Sequence, residues 1–389
     1  MPSRRPRVKS TFPTFFLEDI IYFQGCGSVT EIADPDGTAR RLVGLLDGTR
    51  TIEEARRAIT AEFPAVQDDD VAEAIAQLDD AGLVEDAAAP RLLDDYGLER
   101  WSRNLGFFET YASLDLSKHE LQGRLQETRV GLLGVGGVGS HLLFDLAAMG
   151  VADVRIVDFD TIELSNLNRQ ILYTESDIGR RKVEAAAERA LALNSLMTID
   201  AVSTRLESED DVRELVEDRD VVIAAVDRPK MHVANWVNAG CVQAGVALLT
   251  GGVDTQRCFH YTVLPGRTGC VECWRSTAES RDPVSAAISA EMEAIEAKQR
   301  PGERFGQDLA AFCPLVTAQT GFLVTELVRL ATGIAAPAAA GRLLEARFEN
   351  LVLREAERWE RLPECSVCGG VDEAWQPQWE RLDEVGLAR

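Results

Sequence analysis

Val130-Gly131-Leu132-Leu133-Gly134-Val135-Gly136-Gly137-Val138-Gly139 is an apolar run that breaks into a glycine turn, and an apolar helical pattern follows from His141 to Met149. A second apolar run, Val154 to Val157, then delivers Asp158. Strand, glycine turn, helix, strand and acid, in that order, spell a nucleotide-binding βαβ unit. Its glycines (Gly134, Gly136, Gly137 and Gly139) let the backbone approach phosphate, and the helix N-terminus presents free N–H groups to it. Asp158 is placed to accept a hydrogen bond from a ribose hydroxyl. This much selects a nucleotide without selecting a chemistry. The residues that follow narrow the choice: Asp160, the run Ser165-Asn166-Leu167-Asn168-Arg169-Gln170, and Lys182.

Working outward, a chain of 389 residues with 46% apolar and 27% charged residues has the size and composition of two or three soluble globular domains. A formal charge of −23 sets a repulsive field against long nucleic acid, so no nucleic-acid partner is expected. No membrane span is expected either, because the longest apolar stretch, Leu315 to Ile334, is interrupted by Gln319, Glu326 and Arg329. The basic start (Arg4, Arg5, Arg7, Lys9) has no apolar segment after it, and the expected location is cytoplasmic.

The expected organisation is a flexible arm over 1–12, a winged-helix-like α+β domain over 13–88, a larger α/β domain over 94–370, and a polar tail over 371–389. In the front domain, Ile20 to Phe23 and Val29 to Ile32 form a hairpin, and Thr51 with Glu54 makes a capping box for a helix from Ile52 to Glu62. A third helix starts at Asp68, and Leu83-Val84-Glu85 is a returning strand. Behind a linker at 86–90, strands at 197–202, 221–225 and 247–251 predict a mostly parallel, helix-covered Rossmann-like sheet, with an antiparallel extension from Phe259. Residues 276–309 are charged and weakly periodic, which predicts a crossing loop with a helix inside.

Arg169 and Lys182 crowd cations near the phosphates, and Arg103 precedes the first strand. Hydride transfer has little use for these charges, whereas adenylation needs them. A carboxylate attacks the α-phosphorus, charge develops on equatorial oxygens, and pyrophosphate leaves with its charge neutralised by cations and Mg²⁺. Asp227, just past the strand at 221–226, sits at the carboxyl edge where open α/β sheets bind ligands, and a carboxylate there could hold Mg²⁺. Cys270-x-x-Cys273 and Cys365-x-x-Cys368 are two knuckles able to give four thiolates to a structural Zn²⁺. Cys26, Cys241, Cys258 and Cys313 read as packed residues, and the four histidines lack metal spacing.

These motifs resemble the ubiquitin-activating-enzyme-like superfamily, the ThiF/MoeB/HesA adenylyltransferases, over residues 95 to 370. The resemblance is carried by Arg100-Trp101-Ser102-Arg103, the glycine turn, Asp158-x-Asp160, Ser165 to Gln170, Lys182 thirteen residues after Arg169, Asp227 and the cysteine pairs. It implies ATP as substrate, Asp158 on the ribose, and Asn166, Arg169 and Lys182 around the phosphates. It also implies Asp227 on Mg²⁺, and Arg103 reaching a partner protomer's site in a homodimer. Many members pass the acyl group to a cysteine in the crossing loop, but no cysteine lies between Cys273 and Cys313 here, so no enzyme thioester is expected.

The front module resembles the PqqD-like leader-peptide recognition elements, on Leu45 to Glu54 and Leu78 to Glu85. A hairpin with one free edge can accept a peptide as an added strand. The acids Asp68, Asp69, Asp70, Glu73, Asp79 and Asp80 argue against a DNA-reading helix. Together the halves are similar to microcin- and pantocin-type peptide-modifying enzymes, which implies activation of a precursor-peptide carboxylate as acyl-AMP. Activation of a sulfur-carrier or ubiquitin-like protein (the ThiS/MoaD type) is the alternative, and a non-catalytic peptide-presenting scaffold is another.

Overall fold

The computed structural model describes residues 4–25, 27–298, 310–371 and 375–377, so Cys26, part of the crossing loop and most of the tail lie outside the described residues. The chain divides into two compact units, Met1–Arg124 and Leu125–Arg389.

The first unit opens with β1 (Pro6–Val8), β2 (Thr14–Leu17), β3 (Ile20–Gln24) and β4 (Val29–Ala33). Helices α1 (Thr38–Leu45), α2 (Ile52–Glu62) and α3 (Asp68–Asp80) follow, then β5 (Val84–Asp86), α4 (Asp95–Arg100) and α5 (Ser102–Glu109). Helix α6 (Lys118–Glu127) crosses the boundary between units. The capping box forms as its spacing requires: Thr51 Oγ1 accepts the Glu54 N–H at 3.2 Å, and Glu54 accepts the Thr51 N–H at 2.8 Å. Ile21, Phe23, Leu42, Ala55, Ile59, Val71, Ile75 and Val84 form the core.

Three expectations change here. Of the expected arm over 1–12, the described residues 4–12 are instead tied down, because β1 pairs antiparallel with β5 and Lys9 is buried, donating to Gly82 O at 2.6 Å. The hairpin gains a third strand, β2, in the order β2-β3-β4; Phe15, Phe16 and Leu17 are all exposed, so no alternation marked it. Residues 94–124 join the front unit rather than the rear one. Glu109 accepts from Ser10 N at 2.8 Å and Ser10 Oγ at 2.7 Å, Lys118 pairs with the same carboxylate, and Leu114 enters the front core.

The second unit runs β6 (Arg129–Leu133), α7 (Gly137–Met149), β7 (Asp153–Val157), α8 (Lys182–Leu193), β8 (Thr198–Val202), α9 (Glu209–Val216), β9 (Val221–Ala224) and α10 (Val233–Gln243). It continues with β10 (Ala247–Asp254), β11 (Arg257–Val263), α11 (Val271–Arg281), α12 (Pro283–Glu296), α13 (Cys313–Thr332), β12 (Arg342–Arg347) and β13 (Leu353–Arg358). One sheet results, in the order β13-β12-β11-β10-β9-β6-β7-β8. From β10 to β8 all neighbours are parallel, and β11 to β13 extend it antiparallel. The chain leaves β6 toward β7 and later returns to β6's other side as β9, so the strand order reverses between β6 and β9. A crevice opens beyond the carboxyl ends of the strands at such a reversal.

The crossing segment is more helical than expected, with α11 and α12 filling most of its described part. Helix α13 packs across α7, β10 and β11, and no described helix is long and apolar enough to cross a membrane.

Candidate nucleotide site and cysteine cluster

The glycine turn sits at that reversal. Gly134 has φ +91°, and a Cβ on it would lie 2.6 Å from Ala225 O, just past β9. Gly139 is tighter still, since a Cβ there would stand 1.9 Å from Gly134 O. These positions exclude any other residue for steric reasons alone. Asp158 closes the turn: its Oδ2 accepts the Val135 N–H at 3.0 Å and its Oδ1 accepts the Asp160 N–H at 2.9 Å. Buried Tyr173 donates to Val135 O at 2.7 Å and braces the turn from below.

The run 165–170 folds over the same turn. Asn166 is buried, and its Oδ1 accepts the Glu163 N–H at 3.0 Å, closing a short 3₁₀ turn. The Arg169 side chain passes across Gly137, whose Cβ would lie 3.4 Å from Arg169 Cδ and Nε. Its guanidinium donates to Ser165 O at 3.1 Å and to Asn168 Oδ1 at 2.8 Å. Behind it, His141 Nε2 donates to Arg169 O at 3.1 Å, and burial lowers the imidazole's pKa, so His141 serves as a neutral brace. Lys182 is buried at the start of α8 and donates to Asp160 Oδ2 at 2.9 Å. Asp227 is exposed two residues past Ala225, whose N–H bonds to Leu133 O at 2.7 Å, so it stands at the edge that carries Gly134. Gly134, Gly136, Gly137, Gly139, Asp158, Asp160, Asn166, Arg169 and Lys182 are thus gathered at one sheet edge, beside Asp227. Arg103 is exposed on α5, in the other unit.

Two features escaped the sequence reading. Gln170 is buried beside Gly136, and its Oε1 has no hydrogen-bond partner among the described residues, an orphan acceptor facing the turn region. An open cleft of about 1150 Å³ lies against β7 and β8, lined by Phe159, Asp160, Arg181, Thr204 and Arg205 among others. Arg205 stands over the Phe159 ring at 4.1 Å. Phe159 was visible as the residue between Asp158 and Asp160, but Arg205 joins it only through the sheet order.

The four cysteines Cys270, Cys273, Cys365 and Cys368 bring all their sulfurs within 4.8 Å of one another. Individual Sγ···Sγ separations are 3.9, 3.7 and 3.3 Å. A tetrahedral zinc with Zn–S bonds of about 2.3 Å requires sulfurs roughly 3.8 Å apart, so the donor set fits that ion. The Leu362 N–H points at Cys273 Sγ at 3.4 Å, a contact suited to a thiolate. Cys241 and Cys258 are buried, and burial raises both thiols. Cys313 is the first residue of α13 and partly exposed.

A sheet that reverses at a glycine turn, with cations and an acid on its carboxyl edge, defines a nucleotide-binding α/β enzyme. The chain belongs to the ThiF family, whose description matches residues 108–367, and it is an ATP-dependent adenylyltransferase of that type. Residues 28–84 match the family described as coenzyme PQQ synthesis protein D (PqqD). A sulfur carrier protein adenylyltransferase of Thermus thermophilus is 32% identical over 259 residues, 64% of this chain and 85% of that protein. Among solved structures, Escherichia coli MccB with ATP shares the fold with TM-score 0.71 at 20% identity, covering 94% of this chain and 99% of that one. The microcin C7 biosynthetic enzyme MccB in complex with N-formylated MccA gives TM-score 0.70 at 21% identity, with the same coverage.

Proposed function

We infer that the chain activates a carboxylate of a ribosomally made precursor peptide as acyl-AMP. The observation that carries this reading is the joining of a PqqD-type front unit to a ThiF-type adenylation unit across nearly the whole length of an MccB-like fold. In the front unit β4 pairs only with β3 among the described strands, leaving an outer edge on which a peptide can add as a strand. Tethering through a leader raises the effective concentration of the reactive carboxylate at the ATP site.

In the rear unit, Asp158 receives the ribose, and the adenine lies toward the cleft of Phe159 and Arg205. The glycine turn and the N-terminus of α7 receive the phosphates, with Asn166 beside them. Arg169 and Lys182 meet the charge that grows on the α-phosphoryl oxygens, and Lys182 leaves Asp160 for phosphate. Asp227, exposed and unpaired among the described residues, would hold Mg²⁺, which when bound neutralises the departing pyrophosphate. The carboxylate oxygen bonds to the α-phosphorus as the bond to the β-phosphate oxygen breaks. With no cysteine between Cys273 and Cys313, the mixed anhydride passes to an external nucleophile rather than to an enzyme thiol. Arg103 of a second copy completes the site in a homodimer.

The sulfur-carrier relatives favour a second reading, in which a carrier-protein C-terminus is activated instead. ATP–pyrophosphate exchange separates them. Exchange stimulated by a leader-bearing peptide and not by a carrier protein ending in Gly-Gly supports the first; the reverse pattern supports the second.

A further inference from the structure

We propose that Glu296 is a positioning residue: it ties the crossing helices to the loop that carries Asp227, so that seating the crossing segment and orienting that carboxylate are one event. The proposal rests on the role given to Asp227 above. Among the described residues, the crossing segment is anchored at two points. At its start, α11 is capped by Cys270 and holds Cys273 in its first turn, so it grows directly from the cysteine cluster. Toward the other end of its described part, the last residue of α12 is Glu296. One carboxylate oxygen, Oε1, accepts the Lys230 N–H at 2.8 Å; the other, Oε2, accepts the Met231 N–H at 2.9 Å and lies 4.0 Å from His232 Nε2.

Lys230 and Met231 follow Asp227 by three and four residues, in the irregular stretch between β9 and α10. His232, next along, stacks on Trp236 of α10 with ring centroids 5.6 Å apart. The loop is therefore fixed on α10 at one side, and between Asp227 and that point it is held from outside by Glu296. The carboxylate also sits at the N-terminal end of α10, where the helix dipole favours negative charge. Helix α12 exposes Val284, Ile288 and Ile295, so that face buries little apolar surface to hold the helix in place. A carboxylate receiving two backbone N–H bonds is the stronger tie.

The test uses the full chain carrying Glu296→Ala or Glu296→Gln. In Glu296→Ala, amide hydrogen exchange at Lys230 and Met231 accelerates about tenfold, and kcat for ATP–pyrophosphate exchange falls about tenfold, as expected for losing charge-assisted hydrogen bonds. The KM for ATP stays within about twofold, because Asp158 and the glycine turn are untouched, while the Mg²⁺ concentration for half-maximal rate rises. Glu296→Gln keeps one acceptor oxygen and restores part of each effect. Unchanged amide exchange overturns the tie. Faster amide exchange with unchanged kcat and Mg²⁺ dependence overturns the positioning role. An Asp227→Ala control separates the two readings: full turnover in that variant overturns the role of Asp227 itself, whereas a slow Asp227→Ala beside an unaffected Glu296→Ala overturns only the proposal.

Discussion

The two halves of the large sheet use their polar residues in opposite ways. On the parallel side, β6 ends in the glycine turn, Asp158 follows β7 and Asp227 follows β9, with Arg169 at the same open edge. On the antiparallel side, the polar groups are sealed in. His260 and Gln319 are buried, Glu345 is buried among Arg257, Arg347 and Arg354, and the cysteine cluster packs beside Trp359. Charge left at an open edge is available to a ligand, whereas charge sealed among partners serves the fold. Substitutions should therefore separate cleanly into rate effects and stability effects.

The largest expected effect falls on the parallel edge. Arg169→Ala or Asp227→Ala should lower the rate of adenylate formation about 10³-fold, the scale for removing one preorganised electrostatic contact to a transition state. The Asp227→Ala midpoint should stay within about 2 °C, since an exposed side chain contributes little stability, and loss of the half-buried Arg169 with its two hydrogen bonds should cost only a few degrees. A large fall in midpoint for either variant would break the comparison.

On the other side, Cys368→Ser should release zinc and lower stability by about 4 kcal/mol, near 10 °C in midpoint for a unit of this size. Elemental analysis of the purified chain, with calorimetry, measures both. A zinc-free protein of unchanged midpoint would remove the metal from the account.

A smaller, pH-dependent effect comes from His260, which lies flat on Phe322 with centroids 5.2 Å apart. Burial, with a contribution from Arg329, pushes its pKa from 6.5 down to about 4. The unfolded chain therefore takes up a proton first. The stabilisation is complete above pH 6.5, declines as pH falls, and is gone below about pH 4, a total of about 3 kcal/mol. Glu345, held down to about 2 chiefly by Arg354 and Arg257, loses its contribution only below the ordinary carboxylate range. His260→Phe should therefore flatten the stability profile between pH 6.5 and 4.5, as followed by urea unfolding. The smallest effect belongs to Cys313→Ser, expected to leave adenylate formation and product release within about twofold; a variant that accumulates adenylate would restore a thioester step.

Much of the placement on the parallel side was legible in the sequence because its residues follow one another at local spacing. The glycine turn, Asp158, the run from Ser165 and Lys182 all lie within one stretch of chain. The position of Asp227 at the sheet edge was legible because a strand ends just before it. The cysteine cluster was legible for a different reason: two Cys-x-x-Cys pairs are a compact signal for a four-thiolate metal site. What escaped depends on contacts between distant segments. Arg205 reaches Phe159 because β8 lies next to β7, and Glu296 meets the loop at 230–231 across 65 residues of chain. The strand β1 hid in a basic stretch with no alternation, and only its pairing with β5 defines it. The boundary between units moved because Glu109 and Lys118 bind back to the front unit, a link no composition shift announces.

The proposed function stands on one step, attack of a peptide carboxylate on the α-phosphorus of ATP. The direct measurement supplies a leader-bearing precursor peptide with its carboxylate oxygens replaced by ¹⁸O, together with ATP, Mg²⁺ and a nucleophile such as hydroxylamine, and follows the label by mass spectrometry. Attack on the α-phosphorus followed by cleavage at the acyl carbon predicts AMP carrying one ¹⁸O, formed in step with the modified peptide. Unlabelled AMP, or ¹⁸O in inorganic phosphate with ADP released, would contradict it.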